Sequence, residues 1–167
     1  MDLYVVRHAI AFERDAKRWP NDADRPLTAA GEARFRRAAK GLHRLVPTVE
    51  VVLASPFVRA WRTAEILSEE AGWPAPVRCE ALEAERPVPE TIRDVRDHAD
   101  RASAAVVGHE PNLSGLASAL LTGSEDLLRF EFKKGGVVSL GFERNVGPGS
   151  AYLRWAMTPK ALRSLAG

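Results

Sequence analysis

The sequence predicts an α/β fold: a three-layer α/β/α sandwich with a mostly parallel central sheet and a C-terminal antiparallel hairpin. Three observations predict it. Short apolar, β-branched runs alternate with amphipathic helical stretches through about residue 122, the pattern of a parallel sheet with crossover helices on both faces. Beyond that point the apolar period changes to alternation around a glycine-bearing turn. No repeat, low-complexity tract or linker interrupts the chain, so its 167 residues read as one domain, 1–167, with a sizeable core.

The elements follow in order. Leu3–Val6 is a short buried strand that ends abruptly in Arg7-His8. Ile10–Pro26 has no regular period and carries Glu13, Arg14, Asp15, Lys17, Arg18, Trp19, Asp22, Asp24 and Arg25; it reads as a loop over the end of that strand. Thr28 is an N-cap with Leu27 before it, opening a helix whose apolar stripe is Ala30, Ala33, Ala38, Leu42 and Leu45 and which Pro47 closes. Val49–Ala54 is the second strand. Ser55-Pro56 then suits an N-cap and first helical position for a helix to about Glu70, with Gly72 and Pro74 at its end. Val77–Leu82 reads as a third, weaker strand, Glu83–Pro89 as an acidic loop, and Pro89 to about Ala99 as a short helix. Ala104–Val107 is the next buried strand, followed by Gly108-His109 and a helix Leu113–Leu121 capped by Asn112. Leu128–Phe132 and Val137–Phe142 read as the two arms of the hairpin, with Tyr152–Met157 a last strand and Pro159–Leu165 a last helix.

Composition excludes several classes. Hydrophobic residues at 46% and charged residues at 28% are a normal soluble balance, and the net charge of +2 argues neither for nor against nucleic acid. No apolar run approaches membrane-spanning length, and Met1 is followed at once by an acidic residue and a strand rather than a signal-peptide pattern. Cys79, the single cysteine, cannot form an internal disulfide or, alone, a thiolate metal site; it reads as a small buried apolar residue. The expectation is a cytoplasmic, reduced setting with no nucleic-acid or membrane partner; the oligomeric state is not readable.

Chemistry enters where strand ends coincide. Arg7-His8 follows the first strand, Ser55 and then Arg59 the second, and Gly108-His109 the fourth. Parallel strands bring all three to one edge of the sheet, where helix N-termini offer free N–H groups to an anion. Two arginines and two histidines around one point suit a phosphoryl group: guanidinium forks hold the equatorial oxygens, and a neutral imidazole serves as nucleophile. The arginines supply the positive charge, so no metal is required, and no carboxylate or thiolate sits at ligand spacing to the two histidines. Singly, each of these features has a plainer reading as a surface pair, a capped helix or a strand end; their joint occurrence favours a site. His43 and His98, in charge-rich helical stretches, read as surface residues, and Arg62 as solvated or supporting the site.

These residues resemble the histidine phosphatase, or phosphoglycerate mutase-like, superfamily. The resemblance rests on Arg7-His8-Ala9, the Leu-Thr-x-x-Gly pattern at Leu27–Gly31, SPFVRAWRTAE at Ser55–Glu65 and VVGHEP at Val106–Pro111. RPLT at Arg25–Thr28, KKGGVVSL at Lys133–Leu140 and YLRWAMTP at Tyr152–Pro159 are similar to the SixA-type phosphohistidine phosphatases in particular. The resemblance implies a transient phosphohistidine on His8, with Arg7, Arg59 and His109 holding phosphoryl oxygens and no cofactor. Arg25 is either an extra phosphate contact or a salt-bridge partner of Asp22 or Asp24. Two departures stand out: Ala9 replaces the usual glycine, and Arg14 stands where many larger members carry an asparagine, either replacing its phosphate contact or facing solvent. Ser55 is a further phosphate-binding candidate. Larger relatives place a glutamate acid in the loop after the third strand, where Glu83 and Glu85 are the candidates here. A phosphoramidate needs such an acid less than an ester does, since protonated imidazole leaves readily. With no room for a long lid, the site is expected to be open, which favours a phosphohistidine-bearing protein as substrate over a small phosphorylated metabolite or nucleotide. A non-catalytic phosphate-sensing module on the same fold is the alternative of another class.

Overall fold

The computed structural model describes residues 1–167. A six-stranded mixed sheet in the order β3-β2-β4-β1-β5-β6 forms the middle layer. β1 (Asp2–Arg7) lies near its centre, parallel to β4 (Ser103–Gly108) and antiparallel to β5 (Val137–Phe142). β2 (Val51–Ala54) runs parallel to β4 and to the short edge strand β3 (Val77–Arg78). β6 (Ala151–Met157) pairs antiparallel with β5 at the opposite edge.

Alternate side chains of the central strands enter two separate cores, which is why the fold has three layers. Tyr4 and Val6 pack with Phe35, Leu42, Ile66 and Leu67, beneath α1 (Ala29–Leu45), α2 (Val58–Ala71) and α5 (Pro159–Ser164). Leu3 and Val5 pack with Leu82, Val95, Leu113 and Leu116, beneath α3 (Val88–Arg96) and α4 (Asn112–Thr122). A four-residue apolar run buried on both faces is what the continuous LYVV segment anticipated.

Five expectations are corrected. The hairpin is β5–β6, and Leu128–Phe132 is irregular. β5 already has β1 on one side and β6 on the other, so no edge is left for a further strand; Phe132 instead turns its ring into the core and its carbonyl toward Arg7. β3 is two residues long, because Pro74 and Pro76 before it lack N–H groups and the chain turns into a 3-10 helix at Glu80–Leu82. β2 starts at Val51, two residues later than the apolar run suggests. Ser55 does not cap α2, whose N-cap is Phe57; the serine hydroxyl is engaged elsewhere. Asn112 is the first residue of α4 rather than its cap, and donates its amide to the Arg86 carbonyl at 2.6 Å.

Candidate active site

β1, β2 and β4 are parallel, so their carboxyl ends reach one edge of the sheet. The ladder runs one residue past the strands: His8 N–H donates to Gly108 O at 3.1 Å, and Ser55 N–H to Val107 O at 3.0 Å. His8, Ser55 and His109 therefore leave the sheet side by side. A turn before β5 closes over them. Gly135 sits there at φ +79°, a conformation a side chain would strain, and shares its N–H between the carbonyls of Arg7 and His8, each at 3.0 Å.

The backbone after His8 is fixed by α2. Ala9 N–H donates to Thr63 Oγ1 at 3.0 Å, and the Thr63 hydroxyl donates to Arg59 O at 2.7 Å. One buried threonine thus ties the turn at Ala9 to the helix that carries Arg59. Ala9 has no positive φ, so the turn uses ordinary backbone angles and has no need of glycine.

His8 is 5% exposed, and its ring lies 5.2 Å from that of His109, which is 2% exposed. The His8 Nδ1–H donates to the Ala9 carbonyl at 2.7 Å, which leaves Nε2 with the free lone pair. Burial pushes the His8 pKa down to about 3, against the Ala9 hydrogen bond, which favours the protonated form; Arg59, Arg7 and Lys134 push it down further. His109 falls to about 2, chiefly through burial and then through His8 and Arg59. Both rings are neutral at any ordinary pH. His109 Nε2 lies 2.9 Å from Ser55 Oγ, and its Nδ1 is buried without a protein partner. Ser55 Oγ also accepts from Phe57 N–H at 3.3 Å. The serine can donate its hydroxyl proton to Nε2 while accepting from Phe57 N–H, the arrangement in which Nδ1 is the protonated nitrogen of His109.

The arginines are held from behind. Arg7 Nη1 donates to Phe132 O at 2.5 Å. Arg59 is 3% exposed and donates through Nη1 to Asp22 O at 2.7 Å and through Nη2 to Asp22 Oδ2 at 3.0 Å. The Nε atoms of both arginines are buried without a partner.

A cavity of about 470 Å³ is lined by Arg7, His8, Arg59 and His109, which the structure brings together at the strand ends. Arg14 and Arg25 line it as well. Arg25 makes the anticipated ion pair, Nε to Asp22 Oδ1 at 2.8 Å, and donates to Phe12 O at 2.6 Å. Ser55 is fully buried, is absent from the cavity wall and is hydrogen-bonded to the His109 ring. Of the two acid candidates, Glu85 lines the cavity and Glu83 does not. Glu85 holds a left-handed φ of 70°, unusual for a residue with a side chain, at the tip of its loop. Arg62 lies outside the cavity, in an ion-pair cluster with Glu32, Glu65 and Glu69 on the outer face of α1 and α2.

Sequence reasoning missed three participants: Asp22 as the partner of Arg59, Thr63 as the link to Ala9, and Lys134 in the cavity wall. Thr63 lies one helical turn beyond Arg59, a spacing that marks it as a neighbour of that arginine and nothing more. Lys134 was visible only as a turn residue. No three His, Cys, Asp or Glu side chains converge in an arrangement that could hold a metal ion.

Comparison with known proteins converges on this geometry. The chain is 34% identical over 142 residues to an uncharacterized protein of Picosynechococcus sp., covering 84% of each. The structure of the protein histidine phosphatase SixA complexed with tungstate matches with a TM-score of 0.83 at 26% identity, over 97% of this chain and 99% of that one. A mycobacterial glucosyl-3-phosphoglycerate phosphatase shares the fold, with a TM-score of 0.69 at 15% identity over 92% and 97% of the two chains. A family model described as histidine phosphatase superfamily (branch 1) matches residues 3–87, a stretch that includes Arg7, His8 and Arg59. That match spans half of the sequence, and the chain therefore belongs to branch 1 of the histidine phosphatase superfamily, with its phosphoglycerate mutase-like fold.

Proposed function

We propose that residues 1–167 act as one catalytic domain, a metal-independent phosphatase that takes a phosphoryl group onto His8 and hydrolyses protein phosphohistidine. The observation that carries this reading is the state of His8: a neutral imidazole with Nδ1–H tied to the Ala9 carbonyl, its ring lining a cavity beside two guanidinium groups. Nε2 attacks phosphorus of a substrate phosphohistidine protonated on its other ring nitrogen; the P–N bond breaks, its electron pair stays on the departing nitrogen, and a neutral imidazole leaves. Arg7, Arg59 and the Nδ1–H of His109 hold the three equatorial oxygens, whose charge they stabilise in the transition state. Water then attacks phospho-His8, the new N–P bond breaks, and neutral His8 returns with release of phosphate. Glu85, a candidate acid that lines the cavity, delivers the proton to a leaving group that needs one.

Protein phosphohistidine is favoured over a small ester by two features. The cavity is bordered by short segments, among them the loop through Glu13–Arg25, the tip at Ala84–Glu85, Glu110-Pro111 and Lys134, an arrangement that suits a protein side chain better than an enclosed metabolite. The relative of known structure with the TM-score of 0.83 is a protein histidine phosphatase.

The test is to incubate the protein with a labelled phosphodonor and to compare a phosphohistidine-bearing protein with a panel of phosphate esters. The expected result is an acid-labile, alkali-stable phosphoenzyme that is lost in His8→Ala, and turnover of the phosphohistidine protein well above that of the esters. Esters hydrolysed faster than phosphohistidine would overturn the substrate assignment. A phosphoenzyme persisting in His8→Ala would overturn the nucleophile.

A further inference from the structure

A second cavity, of about 610 Å³, opens beside the first and shares Arg7 and Lys134 with it. Three elements meet there: the start of α1, the turn before β5, and α5. Its cations are Arg34, Lys133, Lys134, Lys160 and Arg163 beside Arg7, against one carboxylate, Glu131. Glu131 is paired with Lys133, whereas Arg34, Lys134, Lys160 and Arg163 make no ion pair. In a chain of net charge +2, four unpaired cations in one groove are a local feature and not a reflection of overall composition.

The other walls of the site are charge-balanced. The loop above His8 interleaves Arg14, Lys17, Arg18 and Arg25 with Glu13, Asp15, Asp22 and Asp24. The cavity on the α4 side sets Arg86 and Arg129 against Glu85, Glu125 and Asp126. The α1–α5 groove is therefore the direction in which the field of the site extends as net positive charge.

We propose that this groove docks an acidic segment of the partner protein, adjacent to the phosphorylated residue, and so selects which phosphoprotein reaches His8. The proposal rests on the phosphohistidine reading and adds the surface chemistry of the partner. A peptide fits better than a nucleic acid. The groove is short, its floor includes Ile10 and Pro159, and Phe132 at its base is 5% exposed and offers no ring face for a base to stack on. Acidic side chains can meet the four cations while aliphatic stems lie on that floor.

The variant is Arg34→Glu/Lys160→Glu/Arg163→Glu, which leaves every residue of the first cavity intact. Three substrates separate the effects: free phosphohistidine, a phosphohistidine peptide flanked by Asp and Glu, and one flanked by Ser and Gly. Wild type should turn over the acidic peptide with kcat/KM roughly tenfold or more above the neutral one, an advantage that shrinks as salt rises. The variant should lose that advantage and keep its activity on free phosphohistidine. Equal kcat/KM for the two peptides in wild type, or an advantage retained by the variant, overturns docking while the phosphohistidine reading stands. Failure of all three substrates overturns that reading, and fluorescence anisotropy with the unphosphorylated acidic peptide then decides docking by itself: binding to wild type and not to the variant supports it, and no binding overturns it. Tighter binding of a single-stranded oligonucleotide of equal charge also overturns it.

Discussion

Burial sets the charge of the two site histidines, and this has a consequence for stability. Their folded pKa values, about 3 for His8 and about 2 for His109, lie below the value near 6.5 of an exposed imidazole. Between those limits the unfolded chain binds more protons than the folded one. The stabilisation is therefore complete above pH 6.5 and is lost as pH falls, by up to about 1.4 kcal/mol per pH unit for each histidine. Denaturant unfolding at pH 7 and pH 5 should show wild type losing more stability than His109→Gln, which keeps an uncharged polar group there; equal losses would mean that His109 is not held neutral. Asp22 is the second residue with a measurable consequence. Its carboxylate accepts from both Arg25 and Arg59, and these guanidinium groups, Arg25 first, hold its pKa below the usual carboxylate range. Asp22→Asn removes the charge partner of an arginine that is 3% exposed, at an expected cost of about 1.5–3 kcal/mol, the range for hydrogen bonds to charged groups. Inorganic phosphate should recover more stability in Asp22→Asn than in wild type, because Asp22 and phosphate compete for the same guanidinium; equal recovery in thermal melts would show that phosphate does not engage Arg59.

The element that best repays a close look is the start of α1. Leu27 forms an isolated antiparallel bridge with Ala11, Thr28 N–H donates to Ile10 O at 3.0 Å, and Thr28 Oγ1 accepts from Gly31 N–H at 2.9 Å. A Cβ on Gly31 would stand 2.1 Å from Ile10 O, so only glycine lets the helix approach the loop that follows His8. The Leu-Thr-x-x-Gly pattern is thus a clamp on the loop that follows His8. Gly31→Ala should cost about 1–3 kcal/mol or more in urea unfolding, as overpacking does, and should lower kcat in the surviving folded protein because Ile10 must move. Unchanged kcat would mean that the helix, and not the loop, absorbs the clash. Thr28 was legible as a cap because capping is local: the hydroxyl reaches a backbone N–H three residues on. Ser55 carries an equally good capping signal, but the helix starts three residues later at Val58; the serine oxygen accepts only from Phe57 N–H, and its other bond runs to His109, more than fifty residues away. The hairpin was misassigned for a related reason. Leu128–Phe132 alternates as a strand should, but whether a strand finds a free edge is decided by β1 and β6, which its own residues cannot report.

Across the whole molecule, alternation of strand and helix announced the parallel core, and three polar strand ends announced the site, because parallel strands place their ends together whatever the details of their loops. What remained hidden was the layer behind the side chains that line the site, Asp22, Thr63 and the carbonyl of Phe132, since each acts through a contact made only on folding. That dependence predicts coupling between the site and global stability. The four side chains that line the site come from the end of β1, α2 and the end of β4, and the turn before β5 is hydrogen-bonded onto this edge, so an oxyanion bound among them would link most of the sheet and would exist only when the sheet is formed. A ligand that binds only the folded state stabilises it by about 2.7 kcal/mol at one hundred times its Kd. For a chain of this size, that corresponds to a rise in Tm of roughly 5–10 °C. The measurement is a thermal melt in phosphate against chloride at matched ionic strength, which removes general screening of surface charge. The rise should be seen with phosphate alone and should disappear in Arg59→Ala once the melt is referred to that variant's own Tm in chloride. Equal shifts with the two anions would mean that the four residues at the strand ends do not form an oxyanion site, and the phosphoryl-transfer reading would fall with it.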